Sequence, residues 1–178
     1  MIYEFNGKAP KIDPSAYISE SATIIGDVTI EADCYVGPGA VIRADWPGSP
    51  IRIGYGSAVE EGAILHVGGK DCRMDVGEKV TIAHGCIIHG NKLADNCNIG
   101  MGAIVSKGAN IGEYAIVAEG ALVKQNQEIP PRVVVGGMPA KVLRELLDRD
   151  IEVWDKTKLW YIKLAQQYTT PGMIKRLD

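Results

Sequence analysis

The residues of this sequence that are best suited to metal chemistry are its histidines. The 178-residue chain has only three, His66, His84 and His89, and all lie within one stretch of 24 residues. Neutral imidazole is a common zinc ligand, and three protein ligands with one open position are typical of catalytic zinc sites. The clustering therefore favours a metal site if the surrounding elements bring these side chains together. The alternative is three unrelated surface histidines.

A six-residue period runs through most of the chain. Ile, Val or Leu residues, which we call anchors, recur every six residues in segments 12–42, 53–65, 76–88 and 99–123, and small side chains often follow four residues later. Helices need apolar spacings of three and four, and sandwich strands alternate by two. A period of six is typical of a solenoid whose coil has three short strands and spans about 18 residues.

Two insertions interrupt this period. Anchors are eleven residues apart instead of six around Asp45–Pro50 and again around Val67–Asp75, which leaves five extra residues at each place. A third irregularity is the five-residue step from Ile88 to Leu93. Irregular segments of a regular scaffold often carry function. The second insertion holds four side chains that could cover a nearby site or add a ligand: Asp71, Cys72, Arg73 and Asp75.

His66 and His89 each directly follow an anchor, where side chains point out of the solenoid. Their separation of 23 residues is one 18-residue coil plus the five-residue insertion, so both imidazoles stack on one outer face. Neighbouring coils lie about 4.8 Å apart, which lets two imidazoles reach one ion. His84 lies two residues after its anchor, close to a corner, and should not reach that ion. A three-histidine site therefore needs His84 from another subunit, and a closed threefold assembly is the natural solution.

The end of the chain has a different pattern. Segment 150–168 carries apolar residues at spacings of three and four, which predicts an amphipathic helix, and a shorter helix is predicted around 140–147. We divide the chain into a repeat solenoid, residues 1–140, and a C-terminal helical segment, residues 141–178. We expect the helix to pack on the solenoid or on a neighbouring subunit, because the open last coil needs a cover.

Composition excludes several classes of function. The net charge is −3 and no run of Lys or Arg occurs, so the sequence predicts neither a nucleic-acid partner nor an anionic membrane surface. No apolar run could span a bilayer, and the first residues lack the features of a signal peptide, which predicts a cytoplasmic protein. The four widely spaced cysteines form no CxxC pair, which favours reduced thiols.

Several motifs resemble those of the gamma class of carbonic anhydrases over nearly the whole chain. The motifs are Gly26-Asp27-Val28, Val41-Ile42-Arg43-Ala44-Asp45, Val80-Thr81-Ile82-Ala83-His84, Ile88-His89-Gly90, Ile99-Gly100-Met101-Gly102-Ala103 and Gly137-Met138-Pro139-Ala140-Lys141-Val142. The resemblance implies an all-β solenoid, a left-handed parallel β-helix with a C-terminal α-helix. The handedness comes from the resemblance, because periodicity does not reveal it.

The resemblance also implies a cofactor and a reaction. In a homotrimer, each zinc ion (iron or cobalt being possible in this class) would be held by His66 and His89 of one subunit and His84 of the next. Metal-bound hydroxide would hydrate carbon dioxide reversibly to bicarbonate.

Further site residues follow from the same resemblance. Arg43 and Asp45 match an Arg-x-Asp that resembles an intersubunit ion-pair device, and Glu61 keeps a carboxylate that could pair with Arg43. Glu60 stands where the family commonly has Gln and could act as a proton acceptor or simply be solvated. Tyr161 matches a helix tyrosine that approaches the site in some relatives, or is a core residue of the helix. Ala58 replaces an Asn of the family pattern.

Two other functions stay open from the sequence. The same scaffold serves acyltransferases or thioesterases that act on acyl-CoA, which generally use one histidine as a base without metal. A non-catalytic metal-binding trimer is the other alternative. Three histidines at ligand spacing favour the carbonic anhydrase.

Overall fold

Three parallel sheets form the solenoid. The structure, a computed structural model, describes residues 1–70, 72–89, 92–175 and 177. Each coil contributes one strand to each sheet, so strands three apart in the chain are neighbours in a sheet. The result is the parallel β-helix that the six-residue period predicts, in the left-handed form that the resemblance implies.

The strands are short, and strands on successive coils pair in parallel. The first sheet contains β1 (Ile2–Tyr3), β4 (Thr23–Gly26), β7 (Val41–Ala44), β10 (Ile64–His66), β13 (Ile87–His89), β16 (Ile104–Val105) and β19 (Leu122–Val123). The second contains β2 (Lys11–Ile12), β5 (Val28–Ile30), β8 (Ile51–Ile53), β11 (Met74–Val76), β14 (Lys92–Leu93), β17 (Asn110–Ile111) and β20 (Glu128–Ile129). The third contains β3 (Tyr17–Ile18), β6 (Tyr35–Val36), β9 (Ala58–Val59), β12 (Thr81–Ile82), β15 (Asn98–Ile99), β18 (Ile116–Val117), β21 (Val133–Gly136) and β22 (Lys141–Glu145).

The repeat positions behave as the period predicts. Anchors in register on successive coils of the first sheet, such as Ile42, Leu65 and Ile88, are fully buried inside the solenoid. The small residues that precede these strands are also buried, because the chain turns inward there and leaves room for little more than a methyl or thiol group: Ala22, Ala40, Ala63, Cys86, Ala103 and Ala121. Burial of these apolar columns supplies the main stabilisation of each coil.

The C-terminal end differs from the sequence prediction in one element. The short helix predicted around 140–147 is wrong, since Lys141–Glu145 forms strand β22, antiparallel to β21. The third sheet would otherwise end at β21 with unpaired backbone groups, and pairing with β22 satisfies them. The end of the third sheet is therefore covered by a strand.

The predicted long helix is present as α1 (Asp148–Thr169). It lies along the outer face of the third sheet of its own chain, in contact with β3, β6 and β9. Tyr161, Ala165 and Tyr168 of α1 pack on Tyr35 and its neighbours. Among the described residues, no helix is long and apolar enough to cross a membrane.

Candidate metal centre

His66 and His89 lie side by side on the outer face of the first sheet. They end strands β10 and β13 and are paired in register, so regular strand pairing alone brings them together. Their ring centroids are 5.0 Å apart with an interplanar angle of 65°, and both side chains are half-buried. Two imidazoles at this spacing are suited to share one ion.

Arg43 and Asp45 lie beside this pair. Arg43 is the register partner of His66 on strand β7, and its Nη1 donates a 2.9 Å hydrogen bond to Asp45 Oδ2. The other carboxylate oxygen of Asp45 is 3.6 Å from His66 Nε2. Burial, together with the charge of Arg43 and the nearby His89, lowers the pKa of His66. The neutral form that results is the form of histidine that binds metals.

The two insertions meet next to His66. Ser49 in the first donates a 2.9 Å hydrogen bond to the carbonyl of Gly69 in the second. This contact holds the backbone of Gly68 against the imidazole, where an added Cβ would lie 3.2 Å from His66 Cε1 and 3.5 Å from Nε2. The insertion thus forms a wall beside the nitrogen that faces Asp45.

The predicted covering residues of the second insertion have mixed outcomes. Asp71 lies outside the described residues. Arg73 Nε pairs with Asp75 Oδ2 at 2.9 Å, and Asp75 belongs to strand β11 of the second sheet, whereas the histidines are on the first. Cys72 Sγ is 3.6 Å from the carbonyl oxygen of Lys70. In the described part of the insertion, none of these side chains belongs to a group of three or more possible ligand residues within one chain.

His84 lies in a second cluster with two carboxylates. Its Nε2 is 3.0 Å from Glu60 Oε2, and its Nδ1 is 2.6 Å from Glu61 Oε2. Glu60 is 4% exposed, and burial raises its pKa. Burial also acts on Glu61, but hydrogen bonds from Tyr35 and His84 outweigh it and lower the pKa of that carboxyl.

Two tyrosines lie beside these carboxylates. The Tyr35 hydroxyl donates a 2.7 Å hydrogen bond to Glu61 Oε1. The Tyr161 hydroxyl, on α1, lies near the Glu60 carboxylate. Burial and the neighbouring carboxylates raise the pKa of both phenols, so both are donors across the physiological range. Tyr161 therefore lies on the Glu60 side of this cluster, and its role at the metal site stays a prediction.

Within one chain, the three histidines do not form one site. Among the described residues, Glu60, Glu61 and His84 are the only group of three possible ligand residues whose ligand atoms lie close enough together to hold an ion. Inside one chain, Arg43 pairs with Asp45 and Glu61 pairs with His84. Arg43 and Glu61 therefore do not pair with each other within one chain. The intersubunit ion pair and the shared three-histidine site stay predictions.

Tyr35 is the site residue that sequence reasoning missed. It directly precedes anchor Val36 on an outer position of β6, and its register partner on the next coil is Ala58. The only sequence signal was a column of two outward aromatic residues, Tyr17 and Tyr35, followed on the next coil by the small residue Ala58. That column also accounts for Ala58, which is 1% exposed beneath α1, where a larger amide would displace the tyrosines.

Comparison with known proteins gives the family. No family model matches the chain. Gamma carbonic anhydrase 2, mitochondrial, of Arabidopsis thaliana is 37% identical over 164 residues, which cover 89% of this chain and 58% of that protein. The chain thus spans less than two thirds of the length of this plant relative. The carbonic anhydrase of Geobacillus kaustophilus is 36% identical over 168 residues, which cover 94% of this chain and 91% of that one.

Solved structures agree on the fold. A Bacillus cereus protein described as an acetyltransferase superposes with a TM-score of 0.92 at 36% identity and covers 96% of this chain and 97% of its own. A hexapeptide transferase family protein of Anaplasma phagocytophilum has a TM-score of 0.88 at 32% identity, with coverage of 94% and 98%. The fold and the stacked histidines define a hexapeptide-repeat protein of the left-handed β-helix class. Together with its curated relatives, they place the chain in the gamma carbonic anhydrase family.

Proposed function

We propose that this protein is a metal-dependent carbonic anhydrase that converts carbon dioxide and water reversibly to bicarbonate and a proton. The observation that carries the proposal is the register pairing of His66 with His89, which places two imidazoles side by side on the surface of each chain. The names of the curated relatives support the reaction. The active form would be a homotrimer in which His84 of one subunit completes the site of the next.

The donor set suits zinc. Two half-buried imidazoles, one of them with a lowered pKa, are nitrogen ligands in their neutral form. With a third imidazole, a bound zinc ion would supply a water molecule whose pKa is lowered to about 7. Iron or cobalt would suit the same ligands.

An apolar column beside the histidines supports the trimer. Ile64 and Ile87 precede the two histidines by two positions on the same outer face, and they are 42% and 45% exposed in one chain. Large exposed aliphatic side chains in register mark a surface that another protein covers. A second copy of the chain would bury them and bring its own His84 alongside, and cyclic symmetry would repeat the contact three times.

Glu60 is the proposed proton acceptor. Hydration of carbon dioxide releases one proton, which must leave the site. Burial raises the pKa of Glu60, which makes it a stronger base than an exposed glutamate. The nearby Tyr161 hydroxyl would donate to this carboxylate and orient it. The proton then passes to solvent or buffer.

The shared site is tested by mixing two inactive variants. His84→Ala keeps the histidine pair, and the double variant His66→Ala/His89→Ala keeps only His84. Each alone should hold no metal, whereas random co-assembly at equal amounts restores roughly a quarter of the wild-type metal, because one in four interfaces has both halves. Metal retained by His84→Ala alone, or no restoration in the mixture, would contradict the shared site.

The reaction is tested by stopped-flow hydration of carbon dioxide with the metal-loaded protein. Glu60→Gln should retain metal and lower kcat on the order of 100-fold, with partial rescue by an added imidazole buffer. The exposed Glu78→Gln is the matched control and should leave kcat unchanged. Turnover of acyl-CoA thioesters without hydration of carbon dioxide would favour a transferase or thioesterase instead, and absence of both reactions would favour a binding protein.

A further inference from the structure

A continuous chain of short polar contacts runs from the aromatic cluster under α1 to His84. Tyr35 donates to one oxygen of Glu61 at 2.7 Å. The other oxygen of Glu61 lies 2.6 Å from His84 Nδ1. The carboxylate therefore joins a buried phenol to an exposed imidazole, because Tyr35 is 3% exposed while the His84 side chain is 49% exposed.

The directions of these bonds determine which imidazole nitrogen carries hydrogen. Glu61 is an acceptor on both oxygens, since the Tyr35 hydroxyl can only donate to a carboxylate. His84 Nδ1 must then be the donor to Glu61. Nε2 remains as the nitrogen that a metal can take, and its contact with Glu60 is the longer of the two, 3.0 Å against 2.6 Å. A histidine that donates one N–H to a carboxylate is held in the tautomer and orientation that a metal requires.

Gly37 provides the space that the Glu61 carboxylate occupies. Gly37 directly follows the anchor Val36, and a Cβ at Gly37 would lie 2.9 Å from Glu61 Oε1 and 3.1 Å from Glu61 Cδ. The missing side chain at Gly37 leaves the space that the carboxylate occupies. The hydroxyl of Tyr35 then fixes one oxygen in this space, so a half-exposed glutamate is held at both ends.

Tyr35 also packs as an ordinary aromatic residue. Its ring is 5.5 Å from those of Tyr17 and Tyr161, centroid to centroid. Packing explains the ring but not the hydroxyl, because a phenylalanine would fill the same volume. Among the described residues, Glu61 is the one hydrogen-bond partner of the Tyr35 hydroxyl.

We propose that Tyr35 is a positioning residue for the metal centre. Through Glu61, it holds His84 with Nδ1 as the donor and leaves Nε2, which lies 3.0 Å from Glu60 Oε2 in one chain, as the nitrogen that turns to a metal at the neighbouring subunit. The inference rests on the proposed function, in which His84 is a ligand.

The test compares Tyr35→Phe with Tyr17→Phe, which removes a hydroxyl from the same aromatic cluster beside Ser19 and not beside His84. Zinc affinity is measured by competition with a chromogenic chelator, and the coordination of cobalt by its visible spectrum. Tyr35→Phe should bind zinc about 10- to 100-fold more weakly and alter the cobalt spectrum, whereas Tyr17→Phe should match the wild type. Thermal unfolding of the metal-free variants checks that both are folded.

A double-mutant cycle shows whether Tyr35 acts through Glu61. Glu61→Gln should weaken zinc binding to a similar extent, and adding Tyr35→Phe to it should cause little further loss. Additive losses, or wild-type affinity in Tyr35→Phe, would overturn the positioning role while leaving the metal site intact. A wild-type protein that binds no metal would overturn the proposed function and this inference together.

Discussion

The two halves of the candidate centre are held in different ways. His66 and His89 are paired residues of neighbouring strands, so their spacing follows from the parallel sheet itself. His84 lies between Glu60 and Glu61. The Tyr35 hydroxyl holds Glu61, and Tyr161 of α1 lies near Glu60. The first half depends on the repeat, and the second half depends on a helix that packs across several coils. A repeating scaffold thus supplies ligand spacing, while added elements supply ligand orientation.

The largest expected effect comes from disturbing the repeat behind the histidine pair. Leu65 is fully buried directly before His66 and is in register with Ile42 and Ile88. Leu65→Ala should lower the free energy of unfolding by about 2–5 kcal/mol, because it leaves a cavity in a close-packed core. Urea unfolding at a fixed chain concentration measures this. The exposed Leu159→Ala is the control. If Leu65→Ala lowers the free energy of unfolding no more than this control, the view that the buried repeat holds the histidine pair would be contradicted.

The second effect concerns Lys158, which anchors α1 over the later coils. Its side chain is buried, and Nζ donates a 2.7 Å hydrogen bond to the carbonyl of Asn96. Burial lowers the pKa of Lys158 to about 8. Attraction to Asp155 and Cys97 opposes this shift, and repulsion from Lys79 adds to it.

This lowered pKa has a direct consequence for stability. Between about pH 8 and pH 10.5 the folded chain releases a proton that the unfolded chain keeps, so this group makes folding more favourable as pH rises, by at most about 3 kcal/mol. Relative to wild type, Lys158→Met should lose this slope in urea unfolding at pH 7.5 and pH 10, whereas the exposed Lys163→Met should keep it. Equal slopes in all three proteins would show that Lys158 is not buried in solution.

A smaller effect is expected from crowding the contact between α1 and the third sheet. Ala165 is fully buried against Tyr35 and Ala58. Ala165→Leu should destabilise by about 1–3 kcal/mol, because the added carbons overfill a packed contact. It should also weaken zinc binding, since Tyr35 would shift from the Glu61 carboxylate that its hydroxyl holds, and Tyr161 would shift from its place near Glu60. Gln167→Leu, on the exposed side of the helix, is the control. Unchanged zinc affinity in a destabilised Ala165→Leu would show that the cluster does not need the helix.

The smallest effect refines the first half of the comparison. Gly68→Ala would place a methyl group 3.2 Å from His66 Cε1, so the imidazole must move by a few tenths of an ångström. We expect zinc affinity to fall by less than about tenfold with no change in unfolding. Lys70→Ala, exposed in the same loop, should bind zinc like the wild type. An equal loss in both variants would assign the effect to the loop as a whole and not to contact with His66.

The first half of the centre could be predicted from the sequence because its determinants are local. The six-residue period and the length of the insertion are sufficient to place His66 and His89 in register. Strand β22 could not be predicted in this way, because residues 141–145 are compatible with a helix until the unpaired edge of β21 is present beside them. Tyr35 was missed because its hydroxyl has meaning only once Glu61, on the following coil, lies next to it.

By itself, the sequence determined the solenoid, the buried columns and the spacing of two histidines, because a period repeated over many coils leaves few other ways to bury its apolar residues. The tertiary structure decided that β22 covers the end of the third sheet, that α1 packs across this sheet, and that Glu60 and Glu61 hold His84. These features join residues far apart in the chain. Their contacts form only after the coils have stacked, so no local pattern carries them.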